Sequence, residues 1–286
     1  MNQLSNIKII EIELFNQCNR SCPFCLIHYY PNSDRVNLDL NVLYKLFNEL
    51  ESVGFGMNGG LIVFSGFYEP FLDFQFLLSA IKMLKDLVTN VKIKINTNGD
   101  FLNRNTIKLL DEVHEINVMD YDGLSKAPSW FAEELGLARI KRTPVFDYYV
   151  SDSDSILKYK KNTLKHIQLE DRGGALPENI NVNGKLLSWY KNRNLRTEPC
   201  NEAKVSLAIG SDGSIYPCCH VRGHVPHHKE LILGNIKDNK FKDIIEGEKY
   251  QKFITRMQTN EYKFYPEACS RCQKRVKLAD KYGGKS

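Results

Sequence analysis

Cysteines are the residues of this 286-residue sequence best suited to chemistry, and there are eight of them. In chain order they are Cys18, Cys22, Cys25, Cys200, Cys218, Cys219, Cys269 and Cys272. No cysteine lies between positions 26 and 199, so the eight fall into groups near the two ends. In a reducing compartment, grouped cysteines hold metals or do chemistry more often than they form structural disulfides. The grouping therefore predicts metal sites.

The first group places three thiols within eight residues, and Pro23 stiffens the loop between them. Iron–sulfur clusters are held by cysteine thiolates and usually take four. Three ligands leave one iron open, and an open coordination position is where a substrate or cosubstrate binds. Two alternatives stand beside this interpretation: a zinc site with His28 as fourth ligand, or three cysteines without a metal.

The elements around the first group alternate between strands and helices, which favours a parallel sheet of βα units. The expected strands are Ile7–Leu14, Leu61–Phe64, Val91–Ile95, Ile116–Met119, Val145–Val150 and His166–Leu169. The expected helices are Leu38–Val53, Phe74–Val88, Asn105–Val113 and Ser129–Leu137. Eight-unit barrels need about 250 residues, and six units here fit in fewer. We therefore predict an α/β fold built on a partial (β/α)6 barrel, whose active site lies in the loops after the strands.

The spacing CxxxCxxC after the first strand, with Phe24 before the last cysteine, resembles the signature of the radical S-adenosylmethionine (SAM) family. The resemblance implies a 4Fe–4S cluster on Cys18, Cys22 and Cys25, with SAM chelating the open iron. It implies reductive cleavage of SAM to a 5′-deoxyadenosyl radical that abstracts hydrogen from a substrate C–H bond. It also implies an electron donor such as flavodoxin or ferredoxin.

Later loops extend this resemblance. The loop after the second strand, Ser65–Pro70, is similar to the family's GGE-P loop for the SAM amino group, although Phe67 and Tyr68 replace the usual small residues. On the resemblance and on position after strands, the residues assigned to SAM are Gly66, Glu69, Asn96, Asn98, Asp120 and Glu170. Arg172 is a candidate catalytic residue because a guanidinium can pair with a carboxylate through two hydrogen bonds. The alternative for these positions is ordinary turns and solvated loop charges.

The second half of the chain changes character near residue 180. A helix is expected over Leu186–Asn192, strands over Lys204–Ile209 and Ser214–Tyr216 around a hairpin turn, and a helix over Phe241–Met257. We predict a barrel domain over residues 1–180 and a small β-hairpin plus helix domain over residues 181–286.

The later cysteines follow Gly-x4-Cys and CxxC spacings. They resemble the twitch domain, a shortened SPASM extension that holds one auxiliary 4Fe–4S cluster. The resemblance implies four ligands, namely Cys200, Cys218, Cys269 and Cys272. A structural zinc with four thiolates fits the same spacing, and Cys219 can exchange with Cys218 as ligand.

Cys219 is then the spare thiol, either a small buried apolar residue or a hydrogen-atom donor. A donor thiol opposite the abstracting radical gives epimerisation of a sugar or peptide carbon, which is the outcome we expect. The alternatives are an aminocyclitol-type alcohol dehydrogenase that uses the auxiliary cluster as electron acceptor, and crosslinking of a ribosomal peptide. No peptide-recognition domain is expected before the first strand, which disfavours peptide substrates. A non-enzymatic, metal-stabilised binding scaffold remains a further alternative.

Charge and hydropathy exclude other classes. The net charge is +5, and the basic residues are interspersed with acidic ones, so no nucleic-acid surface is expected. The first residues lack a signal peptide, and no apolar run is long enough to span a membrane. We therefore expect a cytoplasmic enzyme without a membrane partner, acting on a small molecule or a peptide.

Overall fold

A computed structural model describes residues 3–22, 25–103, 106, 113–120, 140–144, 175–176, 179–182, 185–188, 196, 198–261, 263, 265–270 and 272. Its strands are β1 (Ile9–Ile12), β2 (Leu61–Phe64), β3 (Lys92–Thr97), β4 (Glu115–Asp120), β5 (Ile140–Pro144), β6 (Asn179–Val182), β7 (Lys185–Ser188), β8 (Ser206–Ile209), β9 (Ser214–Tyr216) and β10 (Gly234–Asn235). Its α-helices are α1 (Leu26–Tyr29), α2 (Leu40–Ser52), α3 (Phe74–Leu87), α4 (Glu202–Val205), α5 (Phe241–Glu246), α6 (Glu248–Met257) and α7 (Glu267–Ser270).

Eight of these strands form one sheet in the order β10-β9-β8-β1-β2-β3-β4-β5. The strands β1 to β5 pair in parallel, each with its successor along the chain. All four residues of β2 are buried, which is typical of a parallel strand covered on both faces. Parallel order places the carboxyl ends of β1, β2 and β3 at one edge, where the predicted site residues lie.

The helices α2 and α3 cover this sheet because each carries an apolar stripe at helical spacing. The stripe of α2 is buried at Leu43, Leu46, Phe47 and Leu50. Each helix starts at an aspartate whose side chain accepts a backbone N–H: Asp39 from Asn41 and Asp73 from Phe76. These caps fix where the two loops that precede the helices end.

The predicted hairpin of residues 206–216 forms, and its first strand joins the barrel sheet. β8 and β9 pair antiparallel, whereas β8 pairs in parallel with β1, with Ile10 opposite Leu207 and Ile12 opposite Ile209. Buried side chains of β1 and β8 belong to one hydrophobic core. The division at residue 180 stays a prediction, but the hairpin that follows it continues the first sheet.

Several predicted boundaries are wrong. The expected helix at 186–192 begins as strand β7, which pairs antiparallel with β6. The expected strand Lys204–Ile209 begins at Ser206, because the residues before it form α4. The expected helix Phe241–Met257 is two helices, since Gly247 adopts an extended backbone (φ −71°, ψ 155°).

Other expectations concern the middle of the chain. The fifth strand of the sheet is Ile140–Pro144, and the expected strand at 145–150 lies outside the described residues. The same holds for the expected sixth strand at 166–169, for the helix at 129–137 and for most of the helix at 105–113. Within the described part of the chain, no helix is both long and apolar enough to cross a membrane.

Candidate active site

A cavity of about 280 Å³ opens at the carboxyl ends of β1, β2 and β3. It brings together residues that are up to 208 positions apart in the chain, from Glu11 to Cys219. The predicted site residues that line it are Cys18, Cys22, Cys25, Gly66, Glu69, Asn96, Asn98 and Cys219. Of the others, Glu170 and Arg172 lie outside the described residues, and Asp120 ends β4 with only its backbone described.

The three thiols of the first group form a donor set on one wall of this cavity. Backbone turns bring them there, with Cys25 N donating to Cys22 O at 2.9 Å. Burial raises the pKa of Cys18 to about 11, so this thiol needs a bound metal to become a thiolate near neutral pH. Soft thiolates beside open space fit an iron–sulfur cluster with one free coordination side.

His28 is the fourth ligand of the zinc alternative, and its Nδ1 contacts the hydroxyl and the carbonyl oxygen of Ser21, at 3.1 and 3.2 Å. In the part of the chain that the structure describes, no three cysteine, histidine or acidic side chains converge on a position for a single metal ion.

Glu69 ties the loop after β2 to the loop after β3. One oxygen accepts from Thr97 Oγ1 at 2.6 Å and from Phe71 N at 3.0 Å, and the other accepts from Asn98 N at 2.7 Å. Burial raises the pKa of Glu69, although these three donors oppose the shift. The carboxylate predicted to receive the SAM amino group is thus also a structural anchor, and only Oε2 keeps capacity for another donor.

Gly66 is needed for close packing within the protein. Its φ of 135° is in the region that favours glycine. A Cβ there would overlap the carboxylate of Glu13, whose Oε1 accepts from Phe67 N at 2.6 Å. The loop after β2 therefore rests directly on β1.

Asn96 is the third polar anchor of the cavity wall. Its Nδ2 donates to Ser65 Oγ at 2.9 Å, and its Oδ1 accepts from Asn117 Nδ2 at 3.2 Å. The amide is held in one orientation from both sides. Asn96 therefore presents a fixed polar edge to any molecule bound in the cavity.

Arg222 is a central residue that the sequence analysis missed. Its guanidinium is 1% exposed and donates to Glu11 Oε1 at 2.7 Å and to Glu13 Oε1 at 2.8 Å. It also donates to the carbonyl oxygen of Cys219 at 3.2 Å and lies 4.8 Å from the ring centroid of Phe67. Glu11 and Glu13 are spaced i, i+2, and residues at this spacing on a strand share one face. Two acidic residues on one face of a buried strand were the sequence signal for a buried cation.

The later cysteines separate into two environments. Cys218 and Cys269 pack against one small apolar cluster around Tyr216 and Leu231, whereas Cys219 lines the cavity. Burial raises the pKa of Cys269, and the nearby thiols of Cys272 and Cys200 raise it further. Thiols that lie close enough to interact are what a thiolate-held cluster needs, and the four ligands of the auxiliary cluster stay a prediction.

Comparison with known proteins agrees with this arrangement. Residues 200–273 match the SPASM family, an iron–sulfur cluster-binding domain. The S-adenosyl-L-methionine-dependent 2-deoxy-scyllo-inosamine dehydrogenase of Niallia circulans is 24% identical over 264 residues, covering 92% of each chain. The chain therefore has a SPASM-type domain at residues 200–273, and along almost its whole length it is similar to a SAM-dependent dehydrogenase.

Two solved structures show the same fold. The crystal structure of BtrN in complex with AdoMet and 2-DOIA matches with a TM-score of 0.67 at 19% identity, over 94% of this chain and 93% of that one. Native anSMEcpe with bound AdoMet matches with a TM-score of 0.57 at 15% identity, over 91% and 88%. These matches support SAM and iron–sulfur clusters as the cofactors of this chain.

Replacing Gly66 by alanine tests the contact between Glu13 and the loop after β2, which carries Gly66. We expect Gly66→Ala to lose about 1–3 kcal/mol of unfolding free energy from overpacking, beyond the backbone strain, and to weaken SAM binding about tenfold or more. Urea titration and equilibrium dialysis with labelled SAM measure the two effects. Gly59→Ala is the matched control, because Gly59 also has a positive φ (80°) but open space around its Cβ. Equal losses in both variants would contradict the role of Glu13.

Replacing Arg222 by methionine tests the buried ion pairs. We expect a loss of about 3–5 kcal/mol of unfolding free energy, because two carboxylates are left buried without their cation. Arg35→Met serves as control. Arg35 pairs with Asp73 at a position that is 35% exposed, where an ion pair contributes about 1 kcal/mol or less. The interpretation fails if the two variants unfold at the same urea concentration.

Proposed function

We propose that this radical SAM enzyme oxidises a secondary alcohol of a small polyhydroxylated molecule, of the aminocyclitol class, to a ketone. The proposal takes its substrate class from the dehydrogenase of Niallia circulans, which aligns with the chain almost end to end. The observation that carries it is the position of the Cys218–Cys219 pair. Cys219 lines the cavity of the first cysteine group, and the adjacent Cys218 packs with Cys269 on the auxiliary side.

Oxidation of a carbinol to a ketone removes one hydrogen atom from carbon, one proton from oxygen and one electron. When bound, SAM and the two clusters supply the hydrogen-abstracting radical and an acceptor for the electron. Because adjacent Cα atoms are 3.8 Å apart, the auxiliary cysteines begin one residue from the cavity. This adjacency supports a reaction in which both redox sites act on one bound substrate.

The proton of the alcohol needs an acceptor inside the cavity. Glu11 lines the cavity, and Arg222 holds one of its oxygens at 2.7 Å. A carboxylate fixed in this way can accept a hydrogen bond and a proton from a substrate hydroxyl, or pair with a substrate ammonium. We assign this role to Glu11. The external electron donor that we propose is flavodoxin or ferredoxin.

A deuterated substrate tests the proposed oxidation. With reconstituted enzyme, reductant, SAM and 2-deoxy-scyllo-inosamine deuterated at the carbinol carbons, we expect deuterium in 5′-deoxyadenosine and one ketone per SAM consumed. Glu11→Gln should lower the rate of ketone formation by about 100-fold, while SAM is still cleaved. Glu246→Gln, on the exposed end of α5, should leave the rate unchanged. Mass spectrometry of both products decides, and SAM cleavage without ketone or deuterium transfer from any tested cyclitol would refute the proposal.

Epimerisation is the second candidate, and the exposure of Cys219 to the cavity favours it. Transfer of the hydrogen atom of Cys219 to a substrate carbon radical inverts that carbon and leaves a thiyl radical. One electron from the external donor and one proton from solvent then restore the thiol. The two candidate reactions thus use the same active site. They differ only in whether the substrate radical loses an electron or gains a hydrogen atom.

Reactions in deuterated water separate the two candidates. Epimerisation predicts one solvent deuterium in the product, and it predicts that Cys219→Ala cleaves SAM without forming the epimer. Oxidation predicts that Cys219→Ala still makes the ketone. Proton NMR of the product measures the deuterium, and unchanged product from Cys219→Ala excludes the thiol as donor.

A further inference from the structure

A side-chain amide points at the first cysteine of the cluster loop. Asn98, in the loop after β3, places its Nδ2 at 3.8 Å from Cys18 Sγ and at 2.9 Å from Asn19 Oδ1. The backbone N–H of Arg20 donates to the same sulfur at 3.4 Å. Without metal, the Cys18 thiol itself faces Asn19 Oδ1 at 3.8 Å. A cysteine that ligates a metal is a thiolate, which only accepts hydrogen bonds. The N–H groups of Asn98 and Arg20 then both have the sulfur of Cys18 as acceptor.

The orientation of this amide is fixed by a carboxylate. The Asp100 carboxylate accepts from both Asn19 Nδ2, at 2.6 Å, and the guanidinium of Arg20. The hydrogen bond with Arg20 lowers the pKa of Asp100, which keeps this side chain an acceptor. Asn19 must therefore turn its oxygen toward Asn98.

Asn98 is constrained from its other side as well. Its Oδ1 accepts from Asp100 N at 3.0 Å, and its backbone N–H donates to Glu69. With the oxygen already engaged, the NH₂ group must face Asn19 and Cys18. Two independent contacts thus determine which end of the Asn98 amide meets the sulfur.

We propose that Asn98 sets the reduction potential of the cluster on the first cysteine group by donating a hydrogen bond to Cys18 Sγ. Reduction adds negative charge to the cluster, and N–H donors to its sulfurs stabilise that charge. The donor therefore makes the cluster easier to reduce, which SAM cleavage requires. Asn19 and Asp100 are positioning residues, because they act only through the orientation of Asn98.

Potentiometric titration of the reconstituted holoenzyme without SAM tests this role. Electron paramagnetic resonance of the reduced cluster is the readout of the titration. Asn98→Ser replaces the amide donor by a shorter hydroxyl without adding charge. At a fixed solution potential we expect the ratio of reduced to oxidised cluster to be about threefold lower. For a one-electron couple this corresponds to a reduction potential that is lower by ~28 mV. Asn98→Asp keeps the oxygen that accepts from Asp100 N but loses the donor, and its shift should be in the same direction and larger because it adds a charge.

Asn96→Ser is the matched control, because Asn96 lines the same cavity and donates to Ser65 rather than to a cysteine. It should leave the potential within the error of the unaltered enzyme. Iron counts confirm that each variant is loaded, and if one Asn98 variant does not load, the other decides. Potentials for the Asn98 variants equal to that of Asn96→Ser would overturn the proposal. That result would not touch the proposed oxidation, since no substrate is present in the titration.

Discussion

The buried guanidinium of Arg222 is the constraint on which the site depends. A buried charge is tolerated only when it is paired and hydrogen-bonded, and here the partners are Glu11 in β1 and Glu13 directly after it. The segment that carries Arg222 also carries Cys219, whose carbonyl oxygen accepts from the same guanidinium. The ion pairs thus fix where the auxiliary segment meets the barrel. Through Glu13 and the N–H of Phe67 they also fix the loop that carries Gly66.

The opposite wall of the cavity is held by a different set of contacts. Glu69 anchors the loop after β3 through Thr97 and Asn98. From there the contacts continue through Asn98 to Asn19 and the cluster loop. These polar contacts hold Asn19, next to the first cysteine of the loop, in one place. Contacts that restrict the loop before a cluster binds lower the entropic cost of assembling the cluster.

The pairing of β8 with β1 joins the segment of the later cysteines to the strand that precedes the first cysteine group, nearly 200 residues earlier in the chain. The SPASM-type segment is hydrogen-bonded to the first barrel strand and is not a separate body on a linker. Its two consecutive cysteines then face different ways, with Cys219 toward the cavity and Cys218 toward Cys269. The chain bends and turns here, directly after β9, so two consecutive cysteines can lie in two different environments.

The sequence by itself indicated the chemistry. Thiol spacing is local, so Cys18, Cys22 and Cys25 and the four later cysteines could be predicted as ligands without a fold, and β2 and the hairpin of β8 and β9 could be predicted as well. Only the tertiary structure decided the partners of Glu11 and Glu13, because their cation lies more than 200 residues away. It also decided that Gly66 is packed against Glu13 and that Cys219 faces the cavity. Local rules state what a residue can do, whereas its contacts depend on which strands lie side by side, and strand order is a property of the whole chain.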